Sequence, residues 1–182
     1  EVKINNSVFT RNATIKINNA LGAGGVSYVN GRKVTFTDCK FGGKDAQGTS
    51  LGNTSVQYGG VLGINSGAVI KFVGTDSTKA VVENNTAANH GGVFYVRNGS
   101  LNVSGYQFTN NHSSTLGGVI YTEKNVTITE SEFAENTATN GGAIYIAAAS
   151  IEASVSDSKF TKNQATSGNG GAIYTASTMA TE

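Results

Sequence analysis

The sequence predicts an all-β fold in which the chain winds as a parallel β-helix of about six or seven coils, with three short strands in each coil. Composition gives the first indication, because the chain has 24 glycines, no proline or tryptophan and only 14% charged residues. Its polarity comes from Asn, Thr, Ser and Gly. Thr and Tyr favour strands, whereas Asn and Gly favour turns. This balance is typical of a β protein with many tight turns.

A recurring Gly-Gly pair gives the second indication. The pairs begin at Gly24, Gly59, Gly91, Gly117, Gly141 and Gly170. Each pair opens a strand-like segment, and successive pairs lie between 24 residues (141 − 117) and 35 residues (59 − 24) apart. This period is too long for one hairpin and fits one coil of a parallel β-helix with loops of variable length.

An apolar trio repeats in the same order and gives the third indication. Two apolar residues alternate with polar ones, which is the period of a strand with one buried face. A third apolar residue follows five positions later, and this odd offset requires a turn between two strands. The trios are Val2, Ile4 and Phe9; Val34, Phe36 and Phe41; Leu101, Val103 and Phe108; Val126, Ile128 and Phe133; and Ala153, Val155 and Phe160.

The residues of these motifs are expected to build the scaffold. Phenylalanines should stack inside the coils, an inward Asn can bond the Asn of the next coil, and glycine permits positive φ or close approach of neighbouring coils. Asn85 follows Val82 in a weaker third unit. The predicted scaffold residues are Phe9, Asn12, Phe108, Asn111, Gly117, Gly118, Phe133, Asn136, Gly141, Gly142, Phe160, Asn163, Gly170 and Gly171.

Residues 1–182 are expected to form a single β-helix domain that is part of a longer surface protein. An irregular loop is predicted near residues 42–58, where Phe41 lacks the usual asparagine three positions later. Further loops are predicted at 74–79 and 147–149. No apolar run reaches the length of a transmembrane helix, so any membrane attachment is expected only through a barrel or anchor beyond the C-terminal end of this chain.

The alternating Phe-x-x-Asn and Gly-Gly-Ala-(Ile/Leu/Val) motifs resemble those of the chlamydial polymorphic membrane proteins. Gly141–Ile144 and Gly170–Ile173 match the second motif fully, and the pairs at Gly59, Gly91 and Gly117 begin Gly-Gly-Val variants. Proteins of this family are autotransporter adhesins whose passenger domains are right-handed parallel β-helices. Similar repeats occur in adhesin-like β-helix proteins of other bacteria and of gut archaea.

The resemblance implies a surface-exposed adhesin passenger at the outer membrane, or secreted, that attaches to a host or neighbouring-cell surface protein or glycan. A polysaccharide-active β-helix enzyme and a purely structural stalk are the alternatives. No enzymatic activity, cofactor or metal is expected, because the carboxylates are scattered and His90 and His112 lack cysteine or carboxylate neighbours. The net charge of +1 does not suggest nucleic acid as a partner.

A stripe of tyrosines is the best candidate for contact with a partner. Each follows a Gly-Gly pair at the same offset, and alternation places it on the strand face opposite the buried isoleucine, with Gly63 interrupting the series. An outward aromatic ladder would suit a protein or a sugar. The alternative is that the rings only stabilise the sheet by cross-strand contact. The stripe comprises Tyr28, Tyr95, Tyr121, Tyr145 and Tyr174.

Overall fold

Six stacked coils of parallel strands form the protein. The computed structural model describes residues 1–14, 22–147 and 152–176. Every named strand pair in these ranges is parallel, and no helix occurs in them. The predicted parallel β-helix is therefore confirmed, with six coils.

The first three coils each contain four strands. Those of the first coil are β1 (Val2–Asn5), β2 (Val8–Phe9), β3 (Ala13–Thr14) and β4 (Ser27–Asn30). Those of the second are β5 (Lys33–Thr37), β6 (Lys40–Gly42), β7 (Thr54–Ser55) and β8 (Leu62–Asn65). Those of the third are β9 (Ala68–Val73), β10 (Val81–Glu83), β11 (Thr86–Ala87) and β12 (Phe94–Val96).

The last three coils repeat this order. Those of the fourth coil are β13 (Gly99–Ser104), β14 (Gln107–Thr109), β15 (His112–Ser113) and β16 (Ile120–Thr122). Those of the fifth are β17 (Val126–Thr129), β18 (Glu132–Ala134), β19 (Thr137–Ala138) and β20 (Ile144–Ile146). Those of the sixth are β21 (Ala153–Ser156), β22 (Lys159–Thr161), β23 (Gln164–Ala165) and β24 (Ile173–Thr175).

Corresponding strands of successive coils pair into four six-stranded sheets. Sheet A contains β1, β5, β9, β13, β17 and β21, the first strand of each coil. Sheets B, C and D contain the second, third and fourth strand of each coil and begin with β2, β3 and β4. The sequence predicted three strands per coil, corresponding to sheets A, B and D. Sheet C adds a two-residue strand in each coil, for example directly after the asparagine of a Phe-x-x-Asn motif. So short a strand leaves no detectable alternation in the sequence.

The apolar trios lie where period-two alternation places them, facing the inside of the coils. In sheet A, Leu101 pairs with Val126 and Val103 with Ile128, and all four side chains are at most 2% exposed. In the third coil, Ile70 and Phe72 occupy these positions and Val82 replaces the phenylalanine of sheet B. The core is therefore one continuous column of apolar side chains along the helix axis.

Phenylalanines stack inside the sheet B corner. The ring centroid of Phe133 lies 4.8 Å from that of Phe108 and 4.8 Å from that of Phe160, with interplanar angles of 15° and 5°. At the other end of the stack, Phe9 lies 4.9 Å from Phe41 with its ring nearly parallel. This spacing matches the separation of neighbouring strands, so the ladder follows directly from the coil repeat.

In residues 22–147, two loops leave the coils at the ends of strands. The first is shorter than predicted and spans residues 43–53, because Gly42 ends β6 and Thr54 begins β7. Asp45 holds it by accepting hydrogen bonds from the backbone N–H of Gln47 and of Thr49. The second spans residues 74–80 between β9 and β10. The third predicted loop falls mostly on residues 148–149, outside the described residues.

Candidate functional site

Four of the five residues of the predicted tyrosine stripe form a column on the outer side of sheet D, and the fifth, Tyr28, pairs with Gly63 and does not stack on this column. Its rings stack from coil to coil, with centroids 5.3 Å apart for Tyr95 and Tyr121, 5.6 Å for Tyr121 and Tyr145, and 5.1 Å for Tyr145 and Tyr174. Tyr95 is 9% exposed, and the next three are half-buried. Tyr28 is 40% exposed.

Two aromatic residues outside the predicted set join this column. Tyr58 stacks on Tyr95 at 4.6 Å, and His90 stacks on Tyr121 at 4.7 Å. Both immediately precede a Gly-Gly pair, at Gly59 and Gly91. This position was overlooked because other coils fill it with alanine, leucine or asparagine, so it shows no repeat. The aromatic column is therefore Tyr58, His90, Tyr95, Tyr121, Tyr145 and Tyr174.

The stacking geometry decides what the aromatic column can offer to a partner. The faces of Tyr121 are covered by Tyr95, Tyr145 and His90, so the exposed part of its ring is the edge. A sugar that binds by stacking needs a free aromatic face. Within the stacked part of the column a partner meets ring edges and hydroxyl groups. This arrangement favours the cross-strand role of the tyrosines, while their contact with a partner stays a prediction.

Burial of the tyrosines predicts loss of stability at alkaline pH. Burial, followed by the charge of Glu123, raises the pKa of Tyr95 to about 12 from its ordinary value of 10.0. Between these values the unfolded chain loses a proton that the folded chain keeps, so the contribution of Tyr95 to stability falls as pH rises from 10 towards 12. Urea midpoints measured from pH 8 to pH 11.5 should therefore fall steeply above about pH 10.

The variant Tyr95→Phe tests whether Tyr95 contributes to this decline. Without the ionisable hydroxyl, the fall in urea midpoint above about pH 10 should be shallower than in the unmodified protein. The remaining slope is expected from other tyrosines, since burial also raises the pKa of Tyr121 and Tyr145. Identical slopes for the two proteins would contradict the assignment to Tyr95.

The asparagines of the Phe-x-x-Asn motif form a buried hydrogen-bonded ladder. The backbone N–H and the Nδ2 of Asn111 both donate to Oδ1 of Asn136, at 2.9 and 3.1 Å. Asn111 Oδ1 in turn accepts from the backbone N–H and Nδ2 of Asn85, at 3.0 and 2.9 Å. The Nδ2 of Asn111 also donates to the Val82 carbonyl at 2.9 Å. The ladder runs through Asn12, Asn53, Asn85, Asn111, Asn136 and Asn163.

Asn53 is the ladder residue that the sequence pattern did not reveal. It is fully buried and donates to Oδ1 of Asn85 at 2.8 Å, as its counterparts do. It was missed because the loop 43–53 separates it from Phe41, so it does not lie three positions after a phenylalanine as in the Phe-x-x-Asn motif. Its only sequence signal is an asparagine directly before a short polar strand.

The Gly-Gly pair combines two backbone requirements. Gly117 has a φ of 66°, a left-handed conformation that side chains disfavour. At Gly118 an added Cβ would lie 2.1 Å from the carbonyl oxygen of Gly142 on the next coil. Both glycines are buried, so this pair serves the close contact between neighbouring coils.

Two of the scattered carboxylates, Asp38 and Asp76, are held by hydrogen bonds in turns. Asp38 accepts hydrogen bonds from the backbone N–H and hydroxyl of Thr75 at 2.7 and 2.6 Å, and these bonds lower its pKa. Thr78 lowers the pKa of Asp76 in the same way. Cys39 is buried, which raises the pKa of its thiol. Within the described ranges, no three His, Cys, Asp or Glu side chains converge as a metal site would require.

A polar groove lies beside the aromatic column, at the turn from sheet D to sheet A in the second, third and fourth coils. It has a volume of about 700 Å³. Its walls are the turn residues of these coils: Asn65, Ser66, Arg97, Asn98, Glu123 and Lys124. The sequence did not indicate it, because these turns share no motif and become neighbours only when the coils stack.

The comparison with protein families matches the Chlamydia polymorphic membrane protein repeat at three places, residues 106–123, 130–147 and 157–176. Each match covers the strands of sheets B, C and D in one of the last three coils, so the family repeat coincides with the structural repeat. No curated protein and no solved structure gives a significant match. None of the described residues forms a helix able to cross a membrane. The last three coils of this β-helix therefore carry repeats of the Chlamydia polymorphic membrane protein family.

Proposed function

We propose that this β-helix acts as an adhesive passenger domain that attaches to a protein or glycan on host or neighbouring cells. Its main support is the coincidence of the family repeat with the coils. Polymorphic membrane proteins are outer-membrane surface proteins of the autotransporter type, which supports a cell-surface location for the domain. The motif residues are occupied in holding the coils together, so attachment would use the outer faces, the loop 43–53 and the polar groove.

The hydrogen bonding of two carboxylates, Asp38 and Asp76, does not favour the alternative of a polysaccharide-active enzyme. General acid catalysis near neutral pH needs a carboxyl group whose pKa is raised. The pKa values of Asp38 and Asp76 are lowered instead, by hydrogen bonds from Thr75 and Thr78. The matched family also consists of surface proteins rather than enzymes. These observations support attachment over glycan cleavage.

Binding of the labelled domain to cultured epithelial cells tests the proposal and separates it from a stalk function. We expect saturable binding that an excess of unlabelled domain displaces. The matched control is a chain with the same residues in scrambled order, which keeps composition and charge but cannot form the stacked coils. Binding that does not saturate, or that the control reproduces, would favour a structural stalk.

A further inference from the structure

The polar groove combines features of a site for an acidic sugar, and we infer that it binds a glycan that carries a carboxylate, such as a terminal sialic acid or a uronic acid. This inference rests on the proposed attachment function and names a ligand class for it. It is carried by two exposed cations beside a fixed carboxylate and three uncharged polar side chains, all on adjacent turns.

The backbone of these turns is held by the coil ladder. Val96 pairs with Ile64 on one side and with Thr122 on the other, so the residues that follow them lie side by side. The backbone N–H of Arg97 donates to the Ile64 carbonyl at 3.0 Å, and that of Glu123 to the Val96 carbonyl at 2.8 Å. The groove is therefore preorganised, and a ligand would not have to order its backbone.

The charges of the groove favour an anion. Arg97 and Lys124 contribute two positive charges and Glu123 one negative charge. None of the ion pairs between described residues involves any of these three side chains. A free guanidinium matches a carboxylate through two parallel hydrogen bonds, and a nearby ammonium adds a point charge. The two cations are therefore available to one acidic group.

The remaining groups of the groove suit the hydroxyls of a sugar. Glu123 is oriented by the hydroxyl of Tyr121, which donates to its Oε1 at 3.2 Å, and it keeps further lone pairs to accept from hydroxyls. Asn65, whose Nδ2 donates to the Tyr28 hydroxyl at 2.8 Å, and Asn98 add amide donors and acceptors. A peptide would need an apolar anchor pocket, and the groove-lining side chains are all polar. This balance favours an acidic sugar over an acidic peptide.

The inference is tested by titrating sialyllactose into the isotope-labelled domain and following the backbone amide signals. Lactose is the matched neutral sugar, and a tetraglutamate peptide is the matched acidic non-sugar. We expect saturable shifts confined to the turns around Asn65, Arg97 and Lys124, at least tenfold weaker binding of lactose, and none of the peptide. Equal binding of lactose, or preferred binding of the peptide, would overturn the inference.

Substitutions show whether the groove itself binds the sugar. Arg97→Ala should weaken binding at least tenfold, and Arg97→Lys should restore it only in part because the ammonium lacks the planar fork. Lys71→Ala is the control, since it removes the same charge from the outer face of sheet A. Both side chains are exposed, so neither change should alter the circular dichroism spectrum. Unchanged affinity in Arg97→Ala, or an equal loss in Lys71→Ala, would overturn the inference.

The cell assay keeps the two proposals apart. Saturable attachment that survives both Arg97→Ala and sialidase treatment of the cells would leave the adhesin proposal standing and would contradict the acidic sugar as its cell-surface ligand. Sialyllactose binding in solution without attachment to any cell would support the sugar site and contradict the adhesin proposal, because the groove would bind its ligand while the domain failed to attach.

Discussion

Gly118→Ala is expected to destabilise the domain by about 4 kcal/mol or more, which lies in the exceptional range for a single substitution. The added Cβ would lie 2.1 Å from the Gly142 carbonyl oxygen and 2.8 Å from the backbone N and O of Thr137. These are backbone atoms of the next coil, so no side chain can rotate away to make room. Relief requires the fourth and fifth coils to separate, which would disrupt the hydrogen bond from Gly118 N–H to the Gly141 carbonyl.

The sixth coil supplies a matched control for this change. Gly171 occupies the same motif position, but among the residues that the structure describes an added Cβ there would meet only the Asn163 carbonyl oxygen, at 3.3 Å. Gly171→Ala should therefore cost no more than about 1 kcal/mol, mostly through local adjustment. Urea unfolding followed by circular dichroism gives both values. If Gly118→Ala does not fold, the soluble yields of the two variants are compared instead. Equal stabilities or equal soluble yields of the two variants would contradict the close approach of the coils.

This contrast shows which parts of the fold the sequence can predict. Every coil must satisfy the same backbone contacts with its neighbours, so glycine at the position of Gly118 and asparagine at that of Asn111 recur and can be read as a period. The alternation around Ile128 reveals the buried face in the same way. The repeat in the sequence therefore reflects the contacts between stacked coils.

Features without a repeat could not be predicted for the same reason. The groove joins Asn65, Arg97 and Glu123, three different residues at equivalent turns, and only the stacking of coils of unequal length makes them neighbours. Asn53 was hidden by the loop that precedes it. The tyrosine stripe was visible as a repeat, but the sequence could not say whether its rings stack on each other or face solvent. The scaffold is therefore predictable from the pattern, whereas the candidate site depends on three-dimensional detail.

Asn111→Ala is expected to destabilise the domain by about 3–5 kcal/mol, because it leaves buried polar groups without partners. Asn111 Oδ1 is the acceptor for both the backbone N–H and the Nδ2 of Asn85, and its own Nδ2 donates to the Val82 carbonyl. All three groups would lose this partner inside the core, where the Asn85 side chain is fully buried. The Asn85 Nδ2 would keep only its longer bonds to the Phe41 and Glu83 carbonyls, at 3.1 and 3.2 Å. The bond from the Asn111 backbone N–H to Asn136 would persist.

The first coil provides the control for the ladder. Asn12 is half-buried, and its side chain makes one hydrogen bond within the ladder, from Nδ2 to Asn53 Oδ1 at 2.8 Å. Its backbone N–H keeps the same acceptor, at 3.0 Å, when the side chain is removed. Asn12→Ala should therefore cost only about 0.5–1.5 kcal/mol, the usual contribution of one hydrogen bond. A cost for Asn111→Ala no larger than this would mean that the ladder contributes little beyond packing.

Asn111→Asp separates hydrogen bonding from packing, because the side chain keeps its shape but loses its donor. One carboxylate oxygen can still accept from Asn85, whereas the other would face the Val82 carbonyl and Asn136 Oδ1, two acceptors that now lie 2.9 and 3.1 Å from the amide nitrogen. The pKa of this buried carboxyl should rise, since only its protonated form can donate. The folded state then binds a proton that the unfolded chain releases above about pH 4, so the variant should lose stability as pH rises from 4 to 7. Burial alone would also raise this pKa, so the comparison that separates the two roles is made at pH 4 with Asn111→Leu, which has a similar branched shape but no donor or acceptor. A higher urea midpoint for Asn111→Asp than for Asn111→Leu supports the hydrogen bonds, and equal midpoints would mean that the ladder position acts through packing alone.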